Sequence, residues 1–329
     1  NANTLMKQTL YQYDNGVAVP TKGDITVKTE WSNSSADVVS YYGYDLYGNV
    51  VQYNDSLNRT TNYTFESTLT FVNQTSNAKG QKAKYFYNLG FGTLINTTDS
   101  NGVQTNYTYD VFGRITKEIQ PFDTDVYPTK EYVYSIDGTA PEQIIVMQKE
   151  NAGSTPTLDT RYYYDGFGNL VQVKTEAENA AVQIAGDIYY DSLDRPVKTS
   201  NPYYVSFSGS YSSANNSVAG MNYTYDPLDR VTQVLKPDNT RIQINFTLWN
   251  VSTLDERSKR KDYILDGNGN IIRVVEFINN GTNIVTFNTT YRYDALNQLI
   301  QINDSKANQF NFTYDSLGRT ISLSDQDLR

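Results

Sequence analysis

The sequence predicts an all-β protein, a long series of antiparallel β-hairpins with essentially no helix. Three observations carry that reading. Tyrosine reaches 29 of 329 residues, nearly threefold the ~10 expected of average composition. A Tyr-Asp turn recurs along the chain in one frame, and the residues flanking it alternate in character with the period of a strand.

The turn appears as YDLYGN at Tyr44, YDVFGR at Tyr109, YDGFGN at Tyr164, YDSLDR at Tyr190 and YDPLDR at Tyr225. It returns as YDALNQ at Tyr293 and YDSLGR at Tyr314, and loses its tyrosine in NDSLNR from Asn54 and LDGNGN from Leu265. Before the turn, Tyr107 and Tyr109 share one strand face while Asn106, Thr108 and Asp110 share the other. The aspartate suits the first position of a type I turn, because its carboxylate can accept from backbone amides two or three residues later. Four residues into the turn stand Gly48, Asn58, Gly113, Gly168, Asp194, Asp229, Gly269, Asn297 and Gly318. Only Gly, Asn and Asp occur there, the residues that enter the left-handed region at least cost. A type I turn followed by such a residue closes a hairpin with a bulge. After it the next strand begins, as in Arg114-Ile115-Thr116-Lys117-Glu118-Ile119.

Some stretches break the frame. Pro121, Pro128, Pro141 and Pro156 imply irregular connections or edge strands in the middle of the chain. The small polar insertion SFSGSYSSANN, residues 206–216, reads as an exposed loop, and the charge run DERSKRKD, residues 255–262, as a solvated one. No shift in composition marks a second domain, so residues 1–329 read as one continuous array. The opening NANTLMKQTL has neither an initiator Met nor the apolar stretch of a signal peptide. The chain is therefore expected to be part of a longer polypeptide or assembly. Because one hairpin buries little surface, the tyrosine faces are expected to pack against neighbours as a core, with hydroxyls bonded to backbone or water. A carbohydrate-binding aromatic platform is the alternative.

Composition excludes much chemistry. With no His and no Cys, there is no disulfide, thiolate nucleophile, Cys/His zinc site or histidine general base. A net charge of −9 argues against a nucleic-acid partner, which normally meets a basic patch. No apolar run is long enough to span a membrane. Carboxylate-only glycosidase chemistry survives composition, but no pair stands out among the 36 acidic residues. No enzymatic activity, cofactor or metal is assigned. Asp266-Gly267-Asn268-Gly269-Asn270 starts like a calcium loop, yet Ile271 and Phe277 stand where that loop needs Gly and Glu. The turn carboxylates Asp45, Asp110, Asp165, Asp191, Asp226, Asp294 and Asp315 could bridge cations between turns, but each already has a capping role.

A second pattern is the sequon Asn-X-Ser/Thr. It occurs at Asn33, Asn54, Asn58, Asn62, Asn73, Asn96, Asn106, Asn215, Asn222, Asn245, Asn250, Asn280, Asn288, Asn303 and Asn311. From 34 Asn and 60 Ser plus Thr, chance gives about 6. In NYTYD at Asn106 and Asn222 and NFTYD at Asn311 the sequon holds one repeat position. There the Asn lies opposite the tyrosines and is expected to face solvent, where an N-glycan can be attached. Repetition of one strand by duplication would produce the same coincidence.

The frame running from Tyr291 through Tyr293, Asn297, Phe312 and Tyr314 to Arg319, with 21 residues between its Tyr-Asp pairs, resembles the YD-repeat proteins. That group includes bacterial Rhs proteins and the teneurin shell. The resemblance covers most of the chain, from about Tyr41 to Arg319. It implies hairpins wound into a spiral β-sheet shell, tube or solenoid that acts as a scaffold without catalytic residues. Rhs chains often end in a core-closing motif and a variable toxin, and neither occurs in this sequence. The leading expectation is thus an extracellular or cell-surface, N-glycosylated structural or adhesive protein that self-associates into a filament, sheath or larger shell. A cell-surface carbohydrate or protein is its other expected partner. The alternatives are a shell segment enclosing a toxin or other cargo, and a carbohydrate-binding module.

Overall fold

A strand is cheapest where side chains alternate and β-branched or aromatic residues predominate, and this chain offers little else. The computed structural model describes residues 5–325 apart from 18, 20, 34, 35, 156, 178–181, 280 and 282. It contains 27 β-strands and one three-residue 3-10 turn, Asp14–Gly16, with no α-helix among the described residues. Pro156 and the sequon at Asn280 lie outside the described residues.

The chain divides into two compact units, Asn1–Asp137 with Gln143–Arg161, and Gly138–Glu142 with Tyr162–Arg329. In the first, the strands from Thr9–Tyr13 to Glu142–Lys149 form an antiparallel meander in which each pairs with the next. The second repeats the pattern from Leu170–Glu176 to Thr320–Asp325, with one departure. The strand Val182–Tyr190 pairs at one end with Pro196–Ser200 and at the other with Tyr203–Ser206. Register shifts fall where the sequence places its bulges, between Gly43 and Tyr44, Thr224 and Tyr225, Arg292 and Tyr293, and Thr313 and Tyr314. Turns therefore alternate between the two edges of each meander. The NDSLNR turn sits at the edge opposite the YDLYGN turn that precedes it, because a single strand, Val50–Asn54, separates them.

The aromatic core differs from expectation. Among the described residues only Ile119, Tyr163 and Ala185 are buried apolar residues. Tyrosines instead pack sideways within the sheet, as in Tyr42 on Tyr53 at 5.3 Å and Phe71 on Tyr87 at 4.8 Å. Six of the Tyr-Asp tyrosines tie their repeat to an earlier one through the hydroxyl, and Tyr134 outside the frame does the same. Tyr109 donates to the Leu94 carbonyl at 2.7 Å, Tyr190 to Leu170 at 3.1 Å, Tyr225 to Pro196 at 2.7 Å and Tyr314 to Leu299 at 2.8 Å. Tyr44, Tyr134 and Tyr293 do the same to Ile25, Ile115 and Ile271. The acceptor always lies at or next to the start of a strand leaving an earlier turn. Partial burial raises the pKa of Tyr44, Tyr109, Tyr190 and Tyr293 above the ordinary phenol value, so each hydroxyl stays protonated as a donor.

Candidate functional site

The recurring turn is one chemical unit. In the YDVFGR copy, Asp110 Oδ1 accepts from the Phe112 and Arg114 amides at 2.9 and 3.0 Å, and its Oδ2 accepts from Arg114 Nε at 2.7 Å. Copies ending in Asn use the amide instead, as Asn169 Nδ2 does to Asp165 Oδ2 at 3.1 Å. Burial opposes ionisation of Asp110, but hydrogen bonds from the Arg114 amide and guanidinium hold its carboxyl below the usual range. At Asp226 the Arg230 guanidinium is the main cause of the same depression. Asp266 accepts from the amides of Asn268 and Asn270 in the same way. No three acidic, His or Cys side chains gather as a metal cluster among the described residues.

The structure places all nine fourth-position residues at positive φ, from +57° at Asn58 to +88° at Gly48. Three of the four non-glycine ones, Asp194, Asp229 and Asn297, have a second contact that glycine cannot supply. Arg195 Nη1 donates to Asp229 Oδ1 at 2.8 Å, Asn169 Nδ2 to Asp194 Oδ1 at 3.2 Å, and Asn270 Nδ2 to Asn297 Oδ1 at 3.2 Å. Each thus links one turn to the next along the edge, and Arg195 also lies 4.8 Å from the centre of the Tyr225 ring. Asp229→Ala, which loses the ion pair and keeps the unfavourable φ, is expected to lower stability by about 1 kcal/mol in urea denaturation. Asp229→Gly, which loses the pair but relieves the backbone, is expected to change it by less than about 0.5 kcal/mol.

In most copies the third position of the turn displays an apolar side chain to solvent. In the first unit Tyr47 and Phe112 are 75% and 76% exposed; in the second, Phe167, Leu193 and Leu228 are 87%, 66% and 71% exposed. They form a recurring apolar edge rather than a flat aromatic platform.

The sequons fall into two groups. Asn33, Asn58, Asn62, Asn215, Asn245 and Asn288 are exposed, whereas Asn54, Asn73, Asn96, Asn106, Asn222, Asn250, Asn303 and Asn311 are half-buried. The strand positions Asn106, Asn222 and Asn311 are therefore less accessible than alternation alone implies. Several serve as cross-strand links: Asn96 Nδ2 donates to Asn106 Oδ1 at 2.5 Å, and Gln301 Nε2 donates to Asn311 Oδ1 at 2.9 Å; Gln104 Nε2, on the same strand as Asn106, adds a bond to Asn106 Oδ1 at 3.0 Å. Gln52 Nε2 reaches Asn62 Oδ1 at 3.1 Å. This amide pairing is a structural reason for Asn to recur at one strand position.

Two buried polar clusters escape sequence reasoning. In the first unit, the side chains of Asp123 and Lys149, 0% and 3% exposed, meet at 2.6 Å. Asp123 also accepts from the Thr129 hydroxyl at 2.5 Å and the Gly153 amide at 2.9 Å. It thereby pins the irregular segments on either side of a hairpin. Bonds from Lys149 and then Thr129 lower the Asp123 carboxyl to about 2.

In the second unit, Gln172, Lys174, Gln183 and Asp187 are at most 1% exposed. The insertion covers them: Lys174 Nζ donates to the Ser210 carbonyl at 2.9 Å and Gln172 Nε2 to the Ser212 carbonyl at 3.0 Å. Residues 206–216 are mostly exposed, as expected of this insertion, but their inner side is seated on the sheet. The only sequence signal was a run of polar residues at alternate positions, Gln172 and Lys174, facing Gln183 and Asp187.

Comparison with known proteins adds the family context. The RHS repeat family matches residues 87–124. No curated protein matches the chain in sequence. Among solved structures, TcdB2-TccC3 is similar over 98% of this chain and 19% of its own, with 18% identity and a TM-score of 0.76. TcdB2-TccC3 without its hypervariable C-terminal region is similar over 97% of this chain and 24% of its own, with 14% identity and a TM-score of 0.82. A Photorhabdus luminescens Tc holotoxin pore gives 98% and 24% coverage, 15% identity and a TM-score of 0.82. The chain thus spans roughly a fifth to a quarter of the length of the structures it matches. At these identities the likeness is one of fold, an Rhs-type β-shell architecture built from hairpins. The chain thus carries an RHS repeat at residues 87–124 and is similar in fold, along nearly its whole length, to these structures.

Proposed function

We propose that this chain is a wall segment of an Rhs-type β-shell that encloses a polypeptide cargo and acts through architecture, without catalysis. The observation that carries the reading is the fold match along 98% of the chain to Tc toxin structures, one of them a holotoxin pore. The recurring apolar turn edge, Tyr47 and Phe112 in one unit and Phe167, Leu193 and Leu228 in the other, suits packing against further wall of the same kind. That supports assembly into a larger shell. Protease treatment of the native protein tests this: a cargo segment is expected to resist digestion until the shell is unfolded, and a segment cleaved equally fast in both states would contradict enclosure.

A second reading, secretion with N-glycosylation, is favoured by the 15 sequons against about 6 expected. Exposure ranks the acceptors. Glycopeptide mass spectrometry is expected to find hexose at Asn58, Asn215, Asn245 or Asn288 before Asn106, Asn222 or Asn311. Unmodified peptides at all seven would contradict it.

A further inference from the structure

Residues 201–219 leave the meander and return to the same point. Asn201 N donates to the Ala219 carbonyl at 2.7 Å, and Ser200 pairs with Gly220 immediately below. Between these ends the chain first adds a strand, with Tyr203, Tyr204 and Val205 opposite Ala185, Ile184 and Gln183. It then crosses the polar face as a strap.

The contacts that seat the strap are almost all to its main chain. Lys174 and Gln172 donate to the carbonyls of Ser210 and Ser212, and Tyr163 to that of Gly209 at 3.4 Å. In the other direction, the Ser208 amide donates to Gln183 Oε1 at 3.2 Å and the Asn215 amide to Asp187 Oδ2 at 2.9 Å. Tyr203 Oη donates to the same Asp187 oxygen at 2.8 Å, and Gln172 Nε2 to Asp187 Oδ1 at 2.6 Å. One ring, Tyr211, meets Tyr163 edge-on at 5.8 Å. Four polar side chains and Tyr163 are enclosed to hold a segment that meets them chiefly through the main chain of Ser208, Gly209, Ser210, Ser212 and Asn215.

We infer that this face is a binding cradle for an extended, small-residue peptide, and that the strap is its resident occupant. The recognition combines strand addition along residues 183–185 with donors and acceptors that read main-chain carbonyls and amides. A simple structural loop needs no such match, because water satisfies polar groups at an exposed surface without enclosing a lysine. The geometry also sets the required affinity. A short tether gives an effective concentration of the order of 1 mM, so a strap seated at least nine-tenths of the time implies a free-peptide Kd below about 0.1 mM.

Excision tests this. Residues 202–218 are replaced by Asn-Gly, which joins strands already paired at Ser200 and Gly220, and the opened chain is titrated with a fluorescent peptide of residues 203–216. Saturable binding with Kd below about 0.1 mM is expected, and Lys174→Met in the opened chain is expected to weaken it at least about tenfold. A scrambled peptide is expected not to bind. A folded, opened chain that shows no saturation at about 1 mM peptide would overturn the inference. If the opened chain does not fold, hydrogen exchange on the intact protein decides. Excess peptide, or Lys174→Met, is expected to speed exchange at residues 208–215 while the flanking strands stay protected. Unchanged exchange under both would overturn it.

Discussion

Replacing Lys149 by Met is expected to lower the stability of the first unit by about 3 kcal/mol, because it leaves the Asp123 carboxylate enclosed without its cation. Removing both charges together, as Asp123→Leu with Lys149→Met, is expected to recover most of that loss, since no unpaired charge then remains. Urea denaturation of the two single variants and the double variant measures the coupling. Equal, additive losses would show that packing, not the ion pair, holds this region. The pair also sets a pH window. Lowered to about 2 from 3.8, Asp123 contributes stability that is complete above about pH 4 and is lost as pH falls through 4 toward 2. The turn carboxylates of Asp110, Asp191 and Asp226, all held below their ordinary value, act in the same direction. Stability is therefore expected to fall steeply below about pH 4, and the Asp123→Leu/Lys149→Met chain to fall less steeply.

Gly220→Ala is the second large effect. A Cβ there would approach the Thr199 carbonyl oxygen far inside contact distance and stand 2.8 Å from the Ser200 Cα. Both are backbone, so neither can rotate away. Pro196–Ser200 and Gly220–Tyr225 must separate at the point where the 201–219 excursion closes. A loss of about 2–3 kcal/mol is expected, with hydrogen exchange quickening in these two strands and in the strap. The change at Gly209, which faces open space with nothing within 4 Å of a built Cβ, is expected to be smaller as measured by the same denaturation. Equal effects at the two glycines would show that the neck is not the constraint.

The hairpin frame was legible because it depends on local chemistry. An aspartate that caps its own turn and a residue tolerating positive φ are both decided within five positions, so Asp110 with Gly113, or Asp226 with Asp229, could be read without a structure. The tyrosine at the turn was legible as a strand residue, but its role as a hydroxyl tie to the preceding turn required knowing which strands are neighbours. Burial was the least legible quantity. Alternation suggests one core face, whereas half-exposed rings in this chain pack along the sheet. The same gap hid the two polar clusters. Asp123 and Lys149 are 26 residues apart, and Lys174 meets Ser210 across 36, so no local pattern links them. Residues 206–216 have the composition of a free loop, and what seats them is the polar face they cross. The sequon excess was legible as a count, but amide pairing such as Asn96 to Asn106 gives part of it a structural cause.

Cryo-electron microscopy of the native protein tests the central claim most directly. A hollow, closed particle in which this chain forms part of a wall of hairpins, with cargo density inside, is the predicted result. Open fibres or solid rods without a lumen would contradict it, and would favour a filament or adhesin role instead.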